Sequence, residues 1–276
     1  MIGAIIQARM GSLRLPGKVL RKVNGKTLLF YLIERLRASR LLDTIIVATS
    51  RQSNNDAIEE ECRLIKVPCY RGSEQDVLDR FYNAALKHKI GIIVRITGDC
   101  PMVMPGLVDR ACRYYLKNKP DYLGHVLPYP EGLADMSIVS FDALKTAWLE
   151  ARKPSEREHV VTFLFNNPER FKVVRIKVNS RLNNYRFTVD EEKDYRVVKH
   201  IINELYNKPK KIFGFQEIEK YVKAHPDIMR INMHIQRNEG YKKALEADRV
   251  WEKSLPVRTK MSKTYDYLAK QWQTEK

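Results

Sequence analysis

The sequence predicts an α/β fold: a doubly wound, mostly parallel sheet with a helical C-terminal extension. Three observations carry this prediction. Short apolar runs do not alternate, amphipathic segments separate them, and a loop rich in glycine and arginine follows the first run. Ile2–Gln7 is a continuous apolar strand, and Thr44–Ala48 (TIIVA) is a second. Lys66–Tyr70 gives a short third strand and Gly91–Ile96 (GIIVRI) a fourth. Between them, Thr27–Ala38, Asn55–Leu64 and Glu74–His88 place apolar residues at helical spacing. Asn54 and Asn55 precede the second helix and Ser73 the third, in capping positions. Sheets of this kind bind ligands outside the carboxyl ends of their strands.

Further along, Asp121–Tyr129 and Met136–Phe141 read as strands, with a helix over Asp142–Ala151. Pro154 opens a helical stretch, PSEREHVVTFLFNN, that stops before Pro168. Phe171–Val178 and Tyr185–Val189 return to strand character, and Glu191–Tyr206 is helical. Beyond Asn207 the chain is lysine-rich and mainly helical, with a long segment over Tyr241–Lys253. The expected division is a main domain over residues 1–206 and a basic extension over 207–276. There is no internal repeat.

The 276 residues, 44% of them apolar, suffice for one substantial α/β domain and an appendage. Lys and Arg number 50 against 33 Asp and Glu, a net +17 that attracts polyanions without choosing among them. The basic residues are scattered, and no basic run interleaves with aromatics, so nucleic acid is not an expected partner. No apolar stretch reaches membrane-spanning length. The opening MIGAIIQARM has no basic region before its apolar run and meets Arg9 at once, which suits a buried strand better than a leader. The expected compartment is the cytoplasm. Cys62, Cys69, Cys100 and Cys112 form no CxxC pair, and reduced thiols are expected.

The segment Ala8–Val19 (ARMGSLRLPGKV) carries the strongest signal. Gly11 and Gly17 allow tight turns that bring N–H groups to an anion. Arg9, Arg14 and Lys18 place three cations within ten positions, and Ser12 adds a hydroxyl. Five residues rather than four separate the two glycines, and Val19 replaces the Ser or Thr of a P-loop. A GxGxxG dinucleotide fingerprint is also absent. The competing reading is a solvated basic turn. Two aspartates follow strands, Asp99 in TGDCP and Asp190 in FTVDEEKD, where both reach the ligand edge. Alternatively, Asp99 is a turn residue and Asp190 a helix cap.

QARMGSLRLPGKVL resembles the opening of the cytidylyltransferases that activate sugar acids, especially their relatives from spore-coat polysaccharide biosynthesis. The resemblance continues through RGSEQDVLDRF (Arg71–Phe81), RITGDCP (Arg95–Pro101), SEREHV (Ser155–Val160) and RFTVDEEKDY (Arg186–Tyr195). It spans about residues 1–206, and NMHIQRNEGYKKAL in the tail is similar to the end of some longer members. It implies the nucleotide-diphospho-sugar transferase fold, CTP as substrate, and Mg²⁺ held by Asp99 and Asp190. Catalysis then falls to Arg14, Lys18 and Asp99. The nucleotide is expected on Ala8, Arg9, Met10, Gly11, Ser12, Arg14 and Lys18, with Arg71, Ser73, Asp76, Arg80, Thr97 and Gly98 as candidates for the base and ribose. Ser73 and Asp76 equally suit a cap and first turn.

On the acceptor side, Arg157, Glu158 and His159 form a dense polar set, with a solvated helix start as the competing reading. The turn YPEGLAD (Tyr129–Asp135) is expected to reach toward the acceptor. Ser137 stands where related sequences often carry an acidic residue, and Glu131 or Asp135 would have to compensate. The acceptor is a small anion, either a sugar acid or a phosphate or phosphonate monoester. The rival classes are a glycosyltransferase of the same fold and a non-catalytic polyanion binder. A homodimer is expected through the apolar run Val160–Phe165, which suits the chain's own core equally well.

Overall fold

The computed structural model describes residues 1–206, 212–237 and 239–255. The chain begins β1 (Ile2–Gln7), β2 (Lys22–Val23), β3 (Lys26–Thr27), α1 (Leu28–Arg37), β4 (Thr44–Ser50), α2 (Asp56–Leu64), β5 (Cys69–Gly72) and α3 (Val77–Lys87). It continues β6 (Ile92–Thr97), α4 (Pro105–Asn118), β7 (Tyr122–Val126), β8 (Met136–Ser140), α5 (Phe141–Glu150), α6 (Pro154–His159), α7 (Thr162–Asn166) and β9 (Val173–Lys177). The last helices are α8 (Glu192–Leu205), α9 (Phe215–Ala224), α10 (Pro226–Arg230) and α11 (Glu239–Ser254).

Seven strands form one sheet in the order β5-β4-β1-β6-β8-β7-β9. The first four pair in parallel, β8 runs antiparallel to both β6 and β7, and β7 pairs in parallel with β9. The apolar runs of β1, β4 and β6 are buried on both faces, as unalternating strands require. Alternate residues feed two cores. Ala4 and Ile6 of β1 join Val94 and Ile96 under α1 and α4, whereas Ile5 joins Ile93 and Val139 under α3 and α5. The doubly wound expectation holds, and its reversal point is β1, flanked by β4 and β6.

Several local expectations differ from the structure. Residues 185–189 form no strand; Phe187 N–H donates to the Glu131 carbonyl and Val189 N–H to that of Asp99, so this segment ties two loops together instead. The third strand lies later, at Cys69–Gly72. Helix α4 was not anticipated, although Pro105 opens it and Leu107, Val108, Ala111, Cys112 and Tyr115 supply a buried stripe. The β2–β3 hairpin was missed as well; Asn24 and Gly25 take φ of 49° and 77°, which an Asn-Gly turn favours. The helix expected after Pro154 breaks at Val160, whose φ of 66° and ψ of −52° make a γ-turn closed by Val161 N–H on the His159 carbonyl at 2.6 Å. A β-branched residue there is strained, and such strain persists only where packing enforces it. Val160, Val161, Phe163 and Leu164 are buried in the second core, so the apolar run serves this chain's interior.

The C-terminal residues pack onto the sheet. Phe213, Ile218, Tyr221, Val222 and Met229 join the first core, and the buried Arg35 guanidinium donates to the carbonyls of Val103 (2.8 Å) and Phe213 (2.9 Å). Helix α11 lies against α6, where Asp248 accepts from the Ser155 N–H at 2.8 Å and its hydroxyl at 2.5 Å. Among the described residues no helix is long and apolar enough to cross a membrane.

Candidate active site

The loop after β1 is folded onto itself and onto its neighbours. The Met10 carbonyl accepts from the N–H groups of Ser12 and Gly17, each at 3.0 Å. Gly17, with φ of 67°, turns the chain into the short helical turn that carries Lys18. Asn55 does not cap α2; its Oδ1 accepts the Met10 N–H at 2.8 Å and its Nδ2 donates to Ser50 Oγ at 2.7 Å. This buried amide therefore fixes the loop. Gly98 N–H donates to the Gln7 carbonyl at 2.8 Å, and a Cβ on Gly98 would stand 2.9 Å from that oxygen. Only glycine brings the β6 turn so close to the end of β1, and that approach aligns Asp99 with the loop.

Lys18 Nζ lies 2.8 Å from Asp99 Oδ2 and 2.8 Å from Asp190 Oδ1. Asp99, after β6, and Asp190, before α8, thus converge on one cation from either side. Arg14 adds a bond to Asp190 Oδ2 at 3.0 Å, and also meets Glu239 at 2.7 Å and Glu191 at 3.4 Å. Burial alone would push the Asp99 carboxyl up, but the Lys18 charge and hydrogen bond outweigh it and hold Asp99 well below the usual carboxylate range. Burial likewise disfavours the Lys18 ammonium, and the charges of Asp99 and Asp190 more than restore it, so its pKa is raised. Asp190 is no cap: Asp194 Oδ2 accepts the N–H groups of Asp190 (3.0 Å) and Glu191 (3.1 Å) instead. Buried Arg186 orients the pair, donating to Asp190 at 2.6 Å and Asp194 at 3.0 Å, and meeting Glu131 as well. Two carboxylates on one centre are the protein donors that Mg²⁺ uses when phosphate oxygens and water complete its shell. Among the described residues no group of three or more potential metal ligands exists.

The expected base and ribose residues divide. Ser73 Oγ accepts from Asp76 N–H at 3.0 Å and Asp76 Oδ1 from Asp79 N–H at 2.9 Å, so both shape the start of α3. Arg80 is buried beneath them and donates to the Ser73 carbonyl. Arg71 faces outward to Asp56 (2.6 Å) and Glu59 (2.8 Å). Thr97 sits 3.4 Å from Cys100 Sγ. Beside them an open cleft of about 550 Å³ is lined by Arg51, Gln52, Gly72, Ser73 and Glu74 among others. Glu74 Oε1 lies 3.6 Å from the position a Gly11 Cβ would take, so the cleft adjoins the loop.

Of the acceptor candidates, Glu158 reaches the loop, its Oε1 accepting from Arg9 at 2.8 Å. Arg157 is a strut, donating to Asp76 (3.0 Å from Nε) and the Trp148 carbonyl (2.8 Å). His159 packs edge-on to Tyr241 at 5.4 Å between ring centres, and burial, with the nearby Arg95 charge, lowers its pKa to about 4. The Tyr129–Asp135 turn faces inward. Asp135 accepts from Tyr129 Oη at 3.1 Å and from Gly132 N–H, and Glu131 pairs with Arg186 and, at 3.2 Å, with Arg237. Sequence reasoning gave no site role to Asn55, Arg186 or Arg237. Arg186 alone carried a signal, its spacing of four and eight from Asp190 and Asp194 along one segment.

The sequence model of a family described as cytidylyltransferase matches residues 3–243. An uncharacterised protein of Methanocaldococcus jannaschii is 39% identical over 249 residues, covering 88% of this chain and 98% of that one. The spore coat polysaccharide biosynthesis protein SpsF of Bacillus subtilis is 33% identical over 211 residues, covering 74% and 88%. Among solved structures, a cytidylyltransferase from Leptospira borgpetersenii superposes with a TM-score of 0.76 at 32% identity, covering 83% of this chain and 96% of that one. The loop after β1, Asp99 and Asp190 all fall within the matched residues 3–243, and the chain belongs to the cytidylyltransferase family of nucleotidyltransferases.

Proposed function

We propose that the enzyme transfers the cytidylyl group of CTP to a hydroxyl or oxyanion of a small anionic acceptor, releasing pyrophosphate, in the synthesis of a surface polysaccharide or glycan precursor. The observation that carries this reading is Lys18 held between Asp99, just past the carboxyl end of β6, and Asp190. In the reaction an acceptor oxygen forms a bond to the α-phosphorus, the bond to the β-phosphate bridge breaks, and pyrophosphate leaves. Negative charge spreads over the phosphate oxygens, so positioning and electrostatics supply most of the catalysis. Arg9, Arg14 and Lys18 bind the triphosphate, exchanging carboxylate partners for phosphate oxygens. Asp99 and Asp190 would then hold Mg²⁺, which when bound neutralises phosphate charge. The cleft beside Gly11 takes the base, with Gly72, Ser73 and Glu74 in its wall. A cytoplasmic homodimer belongs to the same reading.

Mixing the protein with CTP, Mg²⁺ and a panel of sugar acids, phosphomonoesters and phosphonates tests this, with pyrophosphate release as the readout. Acceptor-dependent release with CTP and not with ATP, GTP or UTP is the expected result. Equal release with all four nucleotides, or no measurable CTP binding, would overturn it. A non-catalytic polyanion binder leaves the convergence of Asp99 and Asp190 on one cation unexplained.

A further inference from the structure

Among the buried polar atoms without a hydrogen-bond partner are Gln7 Oε1, Arg95 Nε, Ser137 Oγ and His159 Nε2. Three of these residues share one face of adjacent strands. Arg95 on β6 registers with Ile5 on β1 and with Ser137 on β8, and Gln7 lies two residues beyond Ile5. This is the face of Ile5, Ile93 and Val139, above the second core. His159 arrives from the end of α6, held by the strained turn at Val160. The charge of Arg95 bears on His159, and the charges of Tyr122, Asp99 and Glu158 bear on Arg95, so these groups are near neighbours.

Among the described residues Arg95 makes no ion pair and no hydrogen bond through its side chain. Arg95 is half-buried, and leaving its buried Nε without a partner is unfavourable. Its two carboxylate neighbours are already taken, Asp99 by Lys18 at 2.8 Å and Glu158 by Arg9 at 2.8 Å. An anion that completes Arg95 therefore comes from outside the chain. The order of the sheet says which anion. The base cleft borders β4 and β5, the phosphate loop follows β1, Asp99 follows β6, and Arg95 with Ser137 lies across β6 and β8. Base, phosphates and a second anion are thus laid out in one direction along the carboxyl edge. The loop already supplies three cations for a triphosphate, and Arg95 sits on β6 with Ser137 beside it on β8, the neighbour strand on the side away from the base cleft.

We propose that Arg95, Gln7, Ser137 and His159 form the acceptor pocket, in which the Arg95 guanidinium binds the acceptor's oxyanion and the three neutral groups bind its hydroxyls. This rests on the cytidylyl-transfer reading above. The shared chemistry is a compact, hydroxylated oxyanion, and a planar fork suits a carboxylate or a phosphate or phosphonate head. Arg95 acts by binding and orienting, bringing an acceptor oxygen toward the phosphorus held near Asp99.

The test is direct binding to the full chain, by calorimetry, in the presence of Mg²⁺ and a non-hydrolysable CTP analogue. The probes are glycerate, glycerol 3-phosphate and 2-hydroxyethylphosphonate, with glycerol as the neutral control. At least one anion should bind more tightly than glycerol, and the preferred one separates a carboxylate from a phosphorus acceptor. Arg95→Gln should weaken that anion at least about tenfold, as loss of a charge-assisted pair does, and Arg95→Lys should recover part of it. Affinity for the CTP analogue should stay within about twofold, and the melting temperature should hold or rise, because an unpartnered charge is gone. Anion binding no better than glycerol's, or an Arg95→Gln variant that loses CTP and keeps the anion, would overturn the proposal. If the anion binds through Arg95 and yet no acceptor of the wider panel yields pyrophosphate, the pocket stands and the transfer reading fails.

Discussion

Arg9 in the phosphate loop and Glu158 at the end of α6 are joined at 2.8 Å across 149 positions of sequence. The bond links the nucleotide side of the site to the acceptor side. Both side chains are about one-third exposed, at 34% and 31%, so the pair adds under about 1 kcal/mol to stability. Its significance is competition, because a triphosphate draws on the same guanidinium. Glu158→Gln should leave the melting temperature nearly unchanged and tighten CTP up to about fivefold, the equivalent of about 1 kcal/mol. Titration of CTP against both proteins checks this, and a weaker affinity in the variant would show that Arg9 needs Glu158 to hold its place.

Asp99→Asn should abolish turnover while leaving most CTP affinity. The amide keeps the shape but loses the charge that meets Lys18 at 2.8 Å, and with it half of the donor pair. A fall of about 10³-fold or more in kcat with little change in CTP binding is expected for an electrostatic group acting in the transition state. Full activity would remove Asp99 from the metal and phosphate machinery.

How much of this was legible in the sequence depended on distance along the chain. The β1 strand, the glycines and cations of its loop, and the aspartates in TGDCP and FTVDEEKD are local patterns, and both aspartates meet at Lys18. Partner choice is a tertiary matter. Nothing near Asn55 indicates that its amide accepts Met10 N–H, 45 residues away, in place of a cap. Arg157 looks available in PSEREHV, yet Asp76 and Trp148 take it. Arg95 reads as an ordinary strand residue, and its isolation is visible only once Asp99 and Glu158 are seen to face other cations. The break at Val160 goes against local propensity, and a helical pattern through VVTFLF hides it.

Asp248→Ala should loosen α11 from α6. Two buried bonds to Ser155 disappear, leaving its N–H and hydroxyl without partners, at a cost of about 2–3 kcal/mol. Because α11 also brings Glu239 to Arg14 and Tyr241 to His159, the loss should reach the site. Amide exchange in Glu239–Ser254 should quicken markedly while β1 and β6 stay protected. Equal protection of α11 in the variant would mean that Lys153–Glu252 and the apolar contacts hold the helix without Asp248.

Asp135 makes the stability of the fold depend on pH in a direction opposite to that of Asp99. Burial dominates its environment; the Gly132 N–H and Tyr129 hydroxyl bonds only partly offset it, and its pKa is pushed up to about 6. In the unfolded chain an aspartate titrates near 3.9. A carboxyl with a raised folded-state pKa binds more protons folded than unfolded between about pH 4 and 6, so its contribution falls as pH rises through that window. Two pKa units correspond to at most about 3 kcal/mol. Asp135→Asn removes the titration and keeps an oxygen for the Gly132 N–H. Its stability relative to the parent should therefore improve on going from pH 4 to pH 7, by about 1–3 kcal/mol. Urea unfolding of both proteins at the two pH values measures this. An unchanged difference would show that Asp135 is ionised at no cost, with its charge met inside the Tyr129–Asp135 turn.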